Sequence, residues 1–279
     1  QKRRYCNDFF SSNRIGSLAI TEPSAGSNIK EIDTRYVRKD NHFIINGEKC
    51  WITLGGIADI ILLAANGDDG ILLFCVDPQK HKFKRKDMQG LLSNRGSHIA
   101  TLDFRNMQIE SEAILGNDID KSKQALNFAL LNGRAIAAIS AVSMANAAID
   151  EAISYSKLRK QFGKFIHEHQ LIQKLIADAK ISICAAQSLC VEAFKHKRHG
   201  GIESMTYSSM AKINASEVIK RVTTDSMQVI GANSMLDKHN LERYYREARA
   251  FEYIEGTTQI LTQLVARGAV SGVPNLWKN

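Results

Sequence analysis

The sequence predicts an α+β fold, in which an antiparallel β-barrel or sandwich is followed by a C-terminal up-and-down helical bundle. Between residues 15 and 116, short apolar runs bounded by turn residues follow one another without a helix-length segment between them. From about Lys121 the apolar residues recur at helical spacing, and only one proline remains after that point, Pro274. Because the change in period falls near Gly116, we expect a β-domain over 15–116 and a helical domain over 117–279.

The β-domain is predicted to consist of short strands joined by hairpin turns. Its apolar or alternating runs are residues 18–20, 35–37, 43–45, 50–53, 60–63, 71–74 and 99–104. Asn46-Gly47 is a strong hairpin signal, because both residues tolerate the left-handed backbone of a two-residue turn. It predicts a hairpin between the third and fourth of these runs. A second hairpin is expected across the Gly-Asp-Asp-Gly segment at 67–70.

Five helices are predicted in the second domain. They cover residues 121–158, 168–198, 203–230, 240–251 and a last segment that begins near 258. The second helix carries an apolar stripe at alternating spacings of four and three, formed by Ile172, Ile176, Ala179, Ile183, Ala186 and Cys190. Many alanines in the first helix allow neighbouring helices to approach closely. The stripe is interpreted as the core of an antiparallel bundle.

Composition limits the classes of partner. The 279 residues are 44% hydrophobic and 24% charged, and no uninterrupted apolar run reaches the ~20 residues of a membrane span. A surplus of 37 basic over 29 acidic residues gives a net charge of +8, which could favour nucleic acid, an anionic membrane or a phosphorylated ligand. The basic run at 80–86 alternates without repeated aromatic residues, so it is interpreted as a solvated sheet edge. We expect no membrane span and no nucleic-acid partner.

Cysteine and histidine usage predicts a reducing compartment and no metal site. The five cysteines, odd in number and without a CxxC pair, are Cys6, Cys50, Cys75, Cys184 and Cys190. We expect buried thiols. His167 with His169, and His196 with His199, lack the spacing of a zinc-binding helix and have no cysteine partner, so they are interpreted as surface histidines.

Glu255 is the strongest candidate for chemistry. It lies in Tyr-Ile-Glu-Gly-Thr-Thr-Gln at 253–259, between a charged helical run and an apolar one. Gly256 permits an irregular turn there, which would present a lone carboxylate beside apolar neighbours. Burial would raise the pKa of this carboxylate and suit it to proton abstraction as a general base. The alternative is a helix end, with Glu-Gly as ordinary punctuation.

Two segments of the β-domain could bind a cofactor. The turn Thr-Glu-Pro-Ser-Ala-Gly-Ser-Asn at 21–28 offers backbone amides and hydroxyls to a polar ring or phosphate, or is an ordinary loop. Trp51 and Thr53 are two residues apart on a predicted strand, so their side chains should share one face, where a planar cofactor could stack. Taken alone, the pair is also typical of an ordinary sheet.

Four motifs together resemble the acyl-CoA dehydrogenase family. They are LAITEPSAGS at 18–27, NGEKCWIT at 46–53, RKQFGK at 159–164 and IEGTTQ at 254–259. The resemblance runs from Gln1 to about Val270. It implies a flavoprotein that oxidises an acyl-CoA thioester to the trans-2-enoyl-CoA and passes electrons to an electron-transfer flavoprotein. It further implies a bacterial cytoplasmic or mitochondrial matrix location.

The resemblance assigns roles to individual residues. Glu255 is the base that removes the α-proton while the β-hydride goes to flavin N5, and its backbone amide holds the thioester carbonyl. Some relatives carry the base at a place that matches Gly133, which has no side chain to serve. The expected FAD contacts are Ile20, Thr21, Trp51 and Thr53 at the flavin ring, Thr257 and Gln259 at the adenine side, and Arg159, Phe162, Gln228 and Gly231 at a neighbouring subunit's FAD. The expected substrate contacts are Ser27, Arg134 and Gly256.

The contacts to a neighbouring subunit imply a homo-oligomer, either a dimer or a tetramer. Arg159 suits a pyrophosphate because its planar fork can donate two hydrogen bonds, whereas Phe162 could instead belong to the core.

Some positions depart from the family pattern. Ala232 and Ser234 stand where the family usually has glycine, so a methyl group is expected to obstruct the dinucleotide and weaken FAD binding. The chain starts at Gln1 without an initiating Met or a targeting pattern, and we expect residues 1–14 to be the remnant of an N-terminal helical domain that is otherwise absent. The alternatives are a carrier-protein-linked acyl dehydrogenase, an acyl-CoA oxidase, or a degenerate non-catalytic interaction module.

Overall fold

The computed structural model describes residues 7–197 and 200–273. It divides into two compact units, Gln1–Ala129 and Leu130–Asn279. Cys6, His199 and Pro274 lie outside the described residues, as do residues 1–6 of the predicted N-terminal remnant. The predicted domain limits of 1–14, 15–116 and 117–279 stay predictions.

The first unit is built from two small sheets, and the predicted α+β class is confirmed. Its strands are β1 (Gly16–Ala19), β2 (Arg35–Lys39), β3 (His42–Ile52), β4 (Ile60–Ala65), β5 (Leu72–Val76), β6 (Lys84–Asp87) and β7 (Ala100–Glu110). One sheet has the order β1-β4-β5 and the other β2-β3-β7-β6. All pairs are antiparallel except β1 with β4, which is parallel. Strand β6 forms an edge, as predicted for the basic run.

The predicted hairpin at Asn46-Gly47 is wrong, whereas the one at 67–70 is confirmed by the pairing of β4 with β5. Strand β3 continues through Asn46-Gly47, and the turn before it is formed by residues 40–41. The register against β7 shifts between Ile45 and Gly47, which marks a β-bulge. Gly47 has φ +149°, and a Cβ there would lie 2.5 Å from Thr34 Cα. Glycine therefore serves a close backbone approach here.

Aromatic rings fill the core of the first unit. Tyr36, Phe43 and Phe74 contact one another edge to face, with ring centroids 5.3–5.6 Å apart. Each lies on a different strand and is almost fully buried. These contacts join the two sheets, because β5 belongs to one and β2 and β3 to the other.

The helices fall where their periodicity predicts them. They are α1 (Ile119–Ser156), which begins in the first unit, then α2 (Gln170–His196), α3 (Gly201–Ile230), α4 (Asn240–Ala248) and α5 (Thr258–Val270). The predicted stripe of α2 is confirmed as core: its last four members are buried, and Ile172 and Ile176 pack at the edge of the same cluster. Alanines of α1, α2 and α3 make up much of this core, so the helices approach closely.

By length and composition alone, one helix among the described residues could cross a membrane, Asp120–Ser156. Its most apolar 18-residue window has a mean hydropathy of 1.5, and 44% of that window is buried. Core helices of globular proteins pass the same test. The buried side of α1, which includes Ala141, Ala145 and Ile149, packs in the cluster formed by the other helices.

The cysteines are free thiols wherever the structure describes them. Cys50, Cys75 and Cys190 are buried as predicted, whereas Cys184 is exposed, so that part of the prediction is wrong. Burial raises the pKa of Cys190 to about 11, so this thiol stays protonated at neutral pH. Exposure of Cys184 follows from its place on α2, outside the four-three stripe.

Candidate active site

Glu255 lies in the irregular joint that the sequence predicts. A 3-10 turn ends at Glu252, and α5 begins at Thr258, capped by the Thr257 hydroxyl, which accepts the Ile260 N–H. Glu255 has φ +56° and Gly256 has φ +100°, so two consecutive residues adopt left-handed backbone. For a residue with a side chain this conformation costs roughly 1–2 kcal/mol. A backbone conformation with this cost persists only where the surrounding contacts hold it in place.

The carboxylate of Glu255 occupies the space that a side chain at position 133 would fill. A Cβ built on Gly133 of α1 would lie 2.1 Å from Oε2 and 2.8 Å from Oε1 of Glu255. Only glycine therefore allows the carboxylate to lie against α1. The Glu255 carboxylate thus lies over Gly133, the position at which the family resemblance implies the base of some relatives.

Two buried cations hold the backbone of the joint. Arg134 of α1 donates from Nε to the Glu255 carbonyl at 3.2 Å, and Lys212 of α3 donates from Nζ to the Gly256 carbonyl at 2.8 Å. Both side chains are buried, Lys212 almost completely. No ion pair joins the Glu255 carboxylate to either cation within residues 7–197 and 200–273. The cations therefore fix the carbonyls and leave the carboxylate oxygens available.

The sequence-based prediction places Arg134, Glu255 and Gly256 in the site, and the structure brings these three together with Lys212. Lys212 is a residue that the prediction misses. Its only signal is a lysine within a run of small and apolar residues on α3, between the buried Ala211 and Ala215.

The electrostatics of the cluster suit a proton acceptor. Burial raises the pKa of Glu255 above its ordinary value, and the positive charges of Arg134 and Lys212 act in the opposite direction. Burial likewise lowers the pKa of Lys212 to about 8, although the charge of Glu255 opposes this shift. A carboxylate with a raised pKa holds an abstracted proton better than an exposed one.

Gly133→Ala is expected to lower the rate of any reaction that uses Glu255 by roughly 100-fold, because the new methyl group displaces the carboxylate by an ångström or more. Turnover of the flavin-loaded protein measures the effect. Gly96→Ala is the matched control, since a Cβ at Gly96 meets no heavy atom within 4 Å. Equal turnover in the two variants would contradict the placement of the carboxylate.

In the first unit, a buried ion pair ties together two of the predicted cofactor-binding segments. Lys49 Nζ donates to Glu22 Oε1 at 2.6 Å and to the Ile20 carbonyl at 2.8 Å, and both charged side chains are buried. The Cys50 N–H donates to the Thr21 carbonyl at 2.9 Å. The loop that begins at Ile20 and the strand that ends near Trp51 are therefore cross-linked, with Ile20 itself buried and Thr21 half-buried.

The predicted alternation of Trp51 and Thr53 on one strand is wrong. The register of β3 shifts between Lys49 and Ile52, Trp51 has φ +58°, and Thr53 follows the end of the strand. The bulge turns the indole outward, so that 57% of Trp51 is exposed. Thr53 is exposed too, as is Ser27 in the loop after β1. An exposed indole fits the stacking of a planar ring.

A groove of about 540 Å³ lies in the second unit. Its lining includes Tyr155, Arg159, Phe162, Gly231, Ala232 and Asn233. A small hairpin of β8 (Lys160–Gln161) and β9 (Lys164–Phe165) carries Phe162 at its tip. Phe162 is 94% exposed, so the alternative that it belongs to the core is wrong.

The remaining predicted cofactor contacts are spread over the second unit. Arg159 is exposed beside the groove and forms no ion pair with any residue that the structure describes. Gln228 is exposed but does not line the groove, Thr257 caps α5, and Gln259 is exposed on the first turn of that helix. The structure thus brings Arg159, Phe162 and Gly231 together and leaves Gln228 apart.

The two departures from glycine have different structural outcomes. Ser234 is buried, and its hydroxyl donates to the Gly231 carbonyl at 2.8 Å, so it stabilises the turn after α3. Ala232 is exposed and lines the groove.

Ala232→Gly is expected to tighten FAD binding, because it removes a methyl group from the groove wall and lets backbone approach the dinucleotide. Titration of the apoprotein with FAD, followed by flavin fluorescence, measures the dissociation constant. Ala250→Gly serves as a control outside the groove. An unchanged constant would show that the Ala232 methyl group does not obstruct the cofactor.

His167 and His169 lie within hydrogen-bonding distance of backbone carbonyls near the small hairpin. His167 Nδ1 lies 3.1 Å from the Ser156 carbonyl, and His169 Nε2 lies 3.2 Å from the Gln161 carbonyl. In the part of the chain that the structure describes, no three residues among His, Cys, Asp and Glu form a group suited to a metal ion.

Comparison with known sequences decides the family. The family description "Acyl-CoA dehydrogenase, middle domain" matches residues 17–107, and "Acyl-CoA dehydrogenase, C-terminal domain" matches residues 123–270. The chain belongs to the acyl-CoA dehydrogenase family. Members of this family are oxidoreductases that use FAD, so the resemblance derived from the four motifs is confirmed.

This acyl-CoA dehydrogenase is similar to proteins of known sequence and to solved structures. Cyclohex-1-ene-1-carbonyl-CoA dehydrogenase of Geobacter metallireducens is 33% identical, over 95% of this chain and 71% of the relative. A glutaryl-coenzyme A dehydrogenase in complex with glutaryl-CoA superposes with a TM-score of 0.90 and 28% identity, over 97% of this chain and 69% of that one. A chain in a structure of the electron transferring flavoprotein of Acidaminococcus fermentans superposes with a TM-score of 0.88 and 31% identity. The match covers 96% of this chain and 72% of that one.

The described residues fit FAD. The exposed indole of Trp51 offers a face for the flavin ring, and the groove beside the exposed Arg159 offers space and positive charge for a dinucleotide. Thr258 adds a buried hydroxyl oxygen without a hydrogen-bond partner among the described residues.

Proposed function

We propose that this acyl-CoA dehydrogenase removes the α-proton of an acyl-CoA thioester with the Glu255 carboxylate and forms the trans-2-enoyl-CoA. The observation that carries the proposal is the placement of that carboxylate over Gly133, between two buried cations that bond to the backbone and not to its oxygens. A base must be accessible and held in position, and this arrangement provides both.

The backbone of the joint supports the same step. Among the described residues, no acceptor takes the Glu255 N–H. An amide in this position can donate to the thioester carbonyl and stabilise the negative charge that develops when the α-proton leaves. Bound FAD supplies the acceptor for the β-hydride. Arg134 and Lys212 keep the joint rigid while the charge of Glu255 changes, because each bonds to a carbonyl that does not take part in the reaction.

An electron-transfer flavoprotein and further copies of the chain are the proposed partners. The first is supported by the similarity to a chain in an electron transferring flavoprotein structure. The second is supported by apolar side chains around the groove: Leu158, Phe162 and Leu171 are 80–94% exposed. Apolar patches of this kind mark interaction sites, and a neighbouring copy that covers this one would complete the FAD site.

The proposal is tested by mixing the flavin-loaded protein with acyl-CoA thioesters in the absence of oxygen. Loss of the visible absorbance of oxidised flavin, together with a 2-enoyl-CoA product, is the expected result. Butyryl-, glutaryl- and cyclohexanecarbonyl-CoA form a suitable first panel, and carrier-protein thioesters separate the carrier-linked alternative. Rapid reoxidation by oxygen would indicate an oxidase. A purified protein without any flavin absorbance would favour a non-catalytic interaction module.

A further inference from the structure

We propose that Lys212 is a positioning residue for Glu255, which holds the left-handed joint through the Gly256 carbonyl and acts on the carboxylate with its positive charge. This inference rests on the proposed function, because it assigns Lys212 a role in the reaction of Glu255. It concerns a residue that neither touches the carboxylate oxygens nor belongs to the four motifs.

One face of α3 holds both sides of the joint. Lys212 donates to the Gly256 carbonyl at 2.8 Å, and Ser216, one helical turn later, donates to the Phe251 carbonyl at 2.9 Å. Glu255 lies between these two points, so its backbone is tied to a rigid helix on either side. Arg134 ties the Glu255 carbonyl to α1. Three side chains on two helices thus define the orientation of one carboxylate.

A buried lysine is an energetically unfavourable donor for a hydrogen bond that has only a structural role. Its side chain is only 1% exposed, and burying an ammonium group carries a large desolvation penalty. The penalty is visible in the pKa of Lys212, which burial lowers to about 8. A neutral donor at this point, such as serine or glutamine, would avoid it. The positive charge therefore has a use beyond the hydrogen bond.

That use is electrostatic. Arg134 and Lys212 are the charged groups that act on the Glu255 carboxyl from the helices packed against it, and both lower its pKa against the effect of burial. Without Lys212, burial would raise the pKa of Glu255 further and reduce the ionised fraction at neutral pH. Among the described residues, no ion pair joins the Lys212 ammonium to the Glu255 carboxylate, so the carboxylate oxygens remain available to the substrate's proton.

Lys212→Met tests both parts of the role, with Lys195→Met as the matched control on the exposed side of α2. In the flavin-loaded protein, we expect Lys212→Met to slow flavin reduction by acyl-CoA about 10- to 100-fold at neutral pH, with FAD content and acyl-CoA affinity retained. The pH at which the rate is half-maximal should move upward. Lys212→Arg, which keeps the charge, should restore part of the rate and return the pH profile toward that of the unaltered protein.

A second readout does not depend on turnover. The carboxyl stretch of Glu255, assigned by its loss in Glu255→Gln, is followed by infrared spectroscopy as a function of pH. An upward shift of its midpoint in Lys212→Met and none in Lys195→Met is expected. An unchanged midpoint, or equal losses of rate in Lys212→Met and Lys212→Arg together with reduced thermal stability, would overturn the inference. If the unaltered protein reduces no flavin with any thioester, the proposed function fails, while the infrared midpoint still tests Lys212.

Discussion

Glu255→Gln is expected to slow acyl-CoA dehydrogenation by roughly 10²- to 10⁴-fold, because an amide of nearly the same shape cannot accept the α-proton. The variant should keep its FAD and bind acyl-CoA, since the backbone bonds of Arg134 and Lys212 do not involve the Glu255 side chain. Single-turnover flavin reduction measures the chemical step, and a binding titration with a 2-enoyl-CoA product measures affinity.

Glu192→Gln is the control for this variant. Glu192 is exposed on α2 and forms ion pairs with the exposed Lys195 and the half-buried His196. Its substitution should leave flavin reduction unchanged. Flavin reduction by Glu255→Gln at the rate of the unaltered protein would remove Glu255 from the mechanism.

Lys49→Met is expected to destabilise the first unit by about 3–5 kcal/mol, because it leaves the Glu22 carboxylate buried without a counter-charge. The loss should appear in denaturant unfolding and, through the Ile20 and Thr21 backbone, as weaker FAD binding. Lys84→Met, on the exposed edge strand β6, is the control. Unfolding of Lys49→Met at the same denaturant concentration as the control would show that the pair contributes little.

The double variant Glu22→Gln with Lys49→Met separates the charge from the packing. Because it removes both charges, it should recover much of the stability lost in the single variant. FAD binding need not recover, since the bond from Lys49 to the Ile20 carbonyl is still missing.

The pH dependence of stability follows from the same pair. Burial alone would raise the pKa of Glu22, but the hydrogen bonds from Lys49, Thr34 and Asp33 and the charge of Lys49 outweigh burial and lower it. A lowered pKa means that the folded state favours the ionised form. The contribution of Glu22 to stability is therefore fully present at neutral pH and is lost as the pH falls through its folded-state pKa.

Local sequence patterns predict the elements whose formation depends mainly on one local factor, such as an apolar helix face or a turn residue. The helices follow from apolar spacing, because burial of one face decides both their existence and their orientation. The hairpin at 67–70 follows from its turn residues. Glu255 was recognisable because glycine follows it at a break between two helical patterns.

The sequence-based predictions are wrong or incomplete for residues whose conformation depends on contacts with residues far away in the sequence. Asn46-Gly47 has the local chemistry of a hairpin turn, but its glycine is needed for the approach of Thr34, which no local pattern shows. The outward turn of Trp51 depends on a register shift against β7. Lys212 was missed because a lysine within a helix is normally exposed, and only the tertiary structure places it under the Gly256 carbonyl.

The fit of the Glu255 carboxylate against Gly133 is the strongest structural support for Glu255 as the base. An absent side chain on α1 and a strained glutamate 122 positions later have no local connection, yet the structure places the second in the space left by the first. Tolerated strain at a carboxylate is typical of functional sites.

The central claim is that the Glu255 carboxylate takes the α-proton of an acyl-CoA thioester. An analogue with sulfur in place of the β-carbon can lose its α-proton but cannot donate a β-hydride, so it isolates this step. Exchange of its α-hydrogens with deuterated solvent, followed by NMR, should be accelerated by the flavin-loaded protein and fall by roughly 100-fold or more in Glu255→Gln. Equal exchange with both proteins, or none with the unaltered one, would contradict the claim.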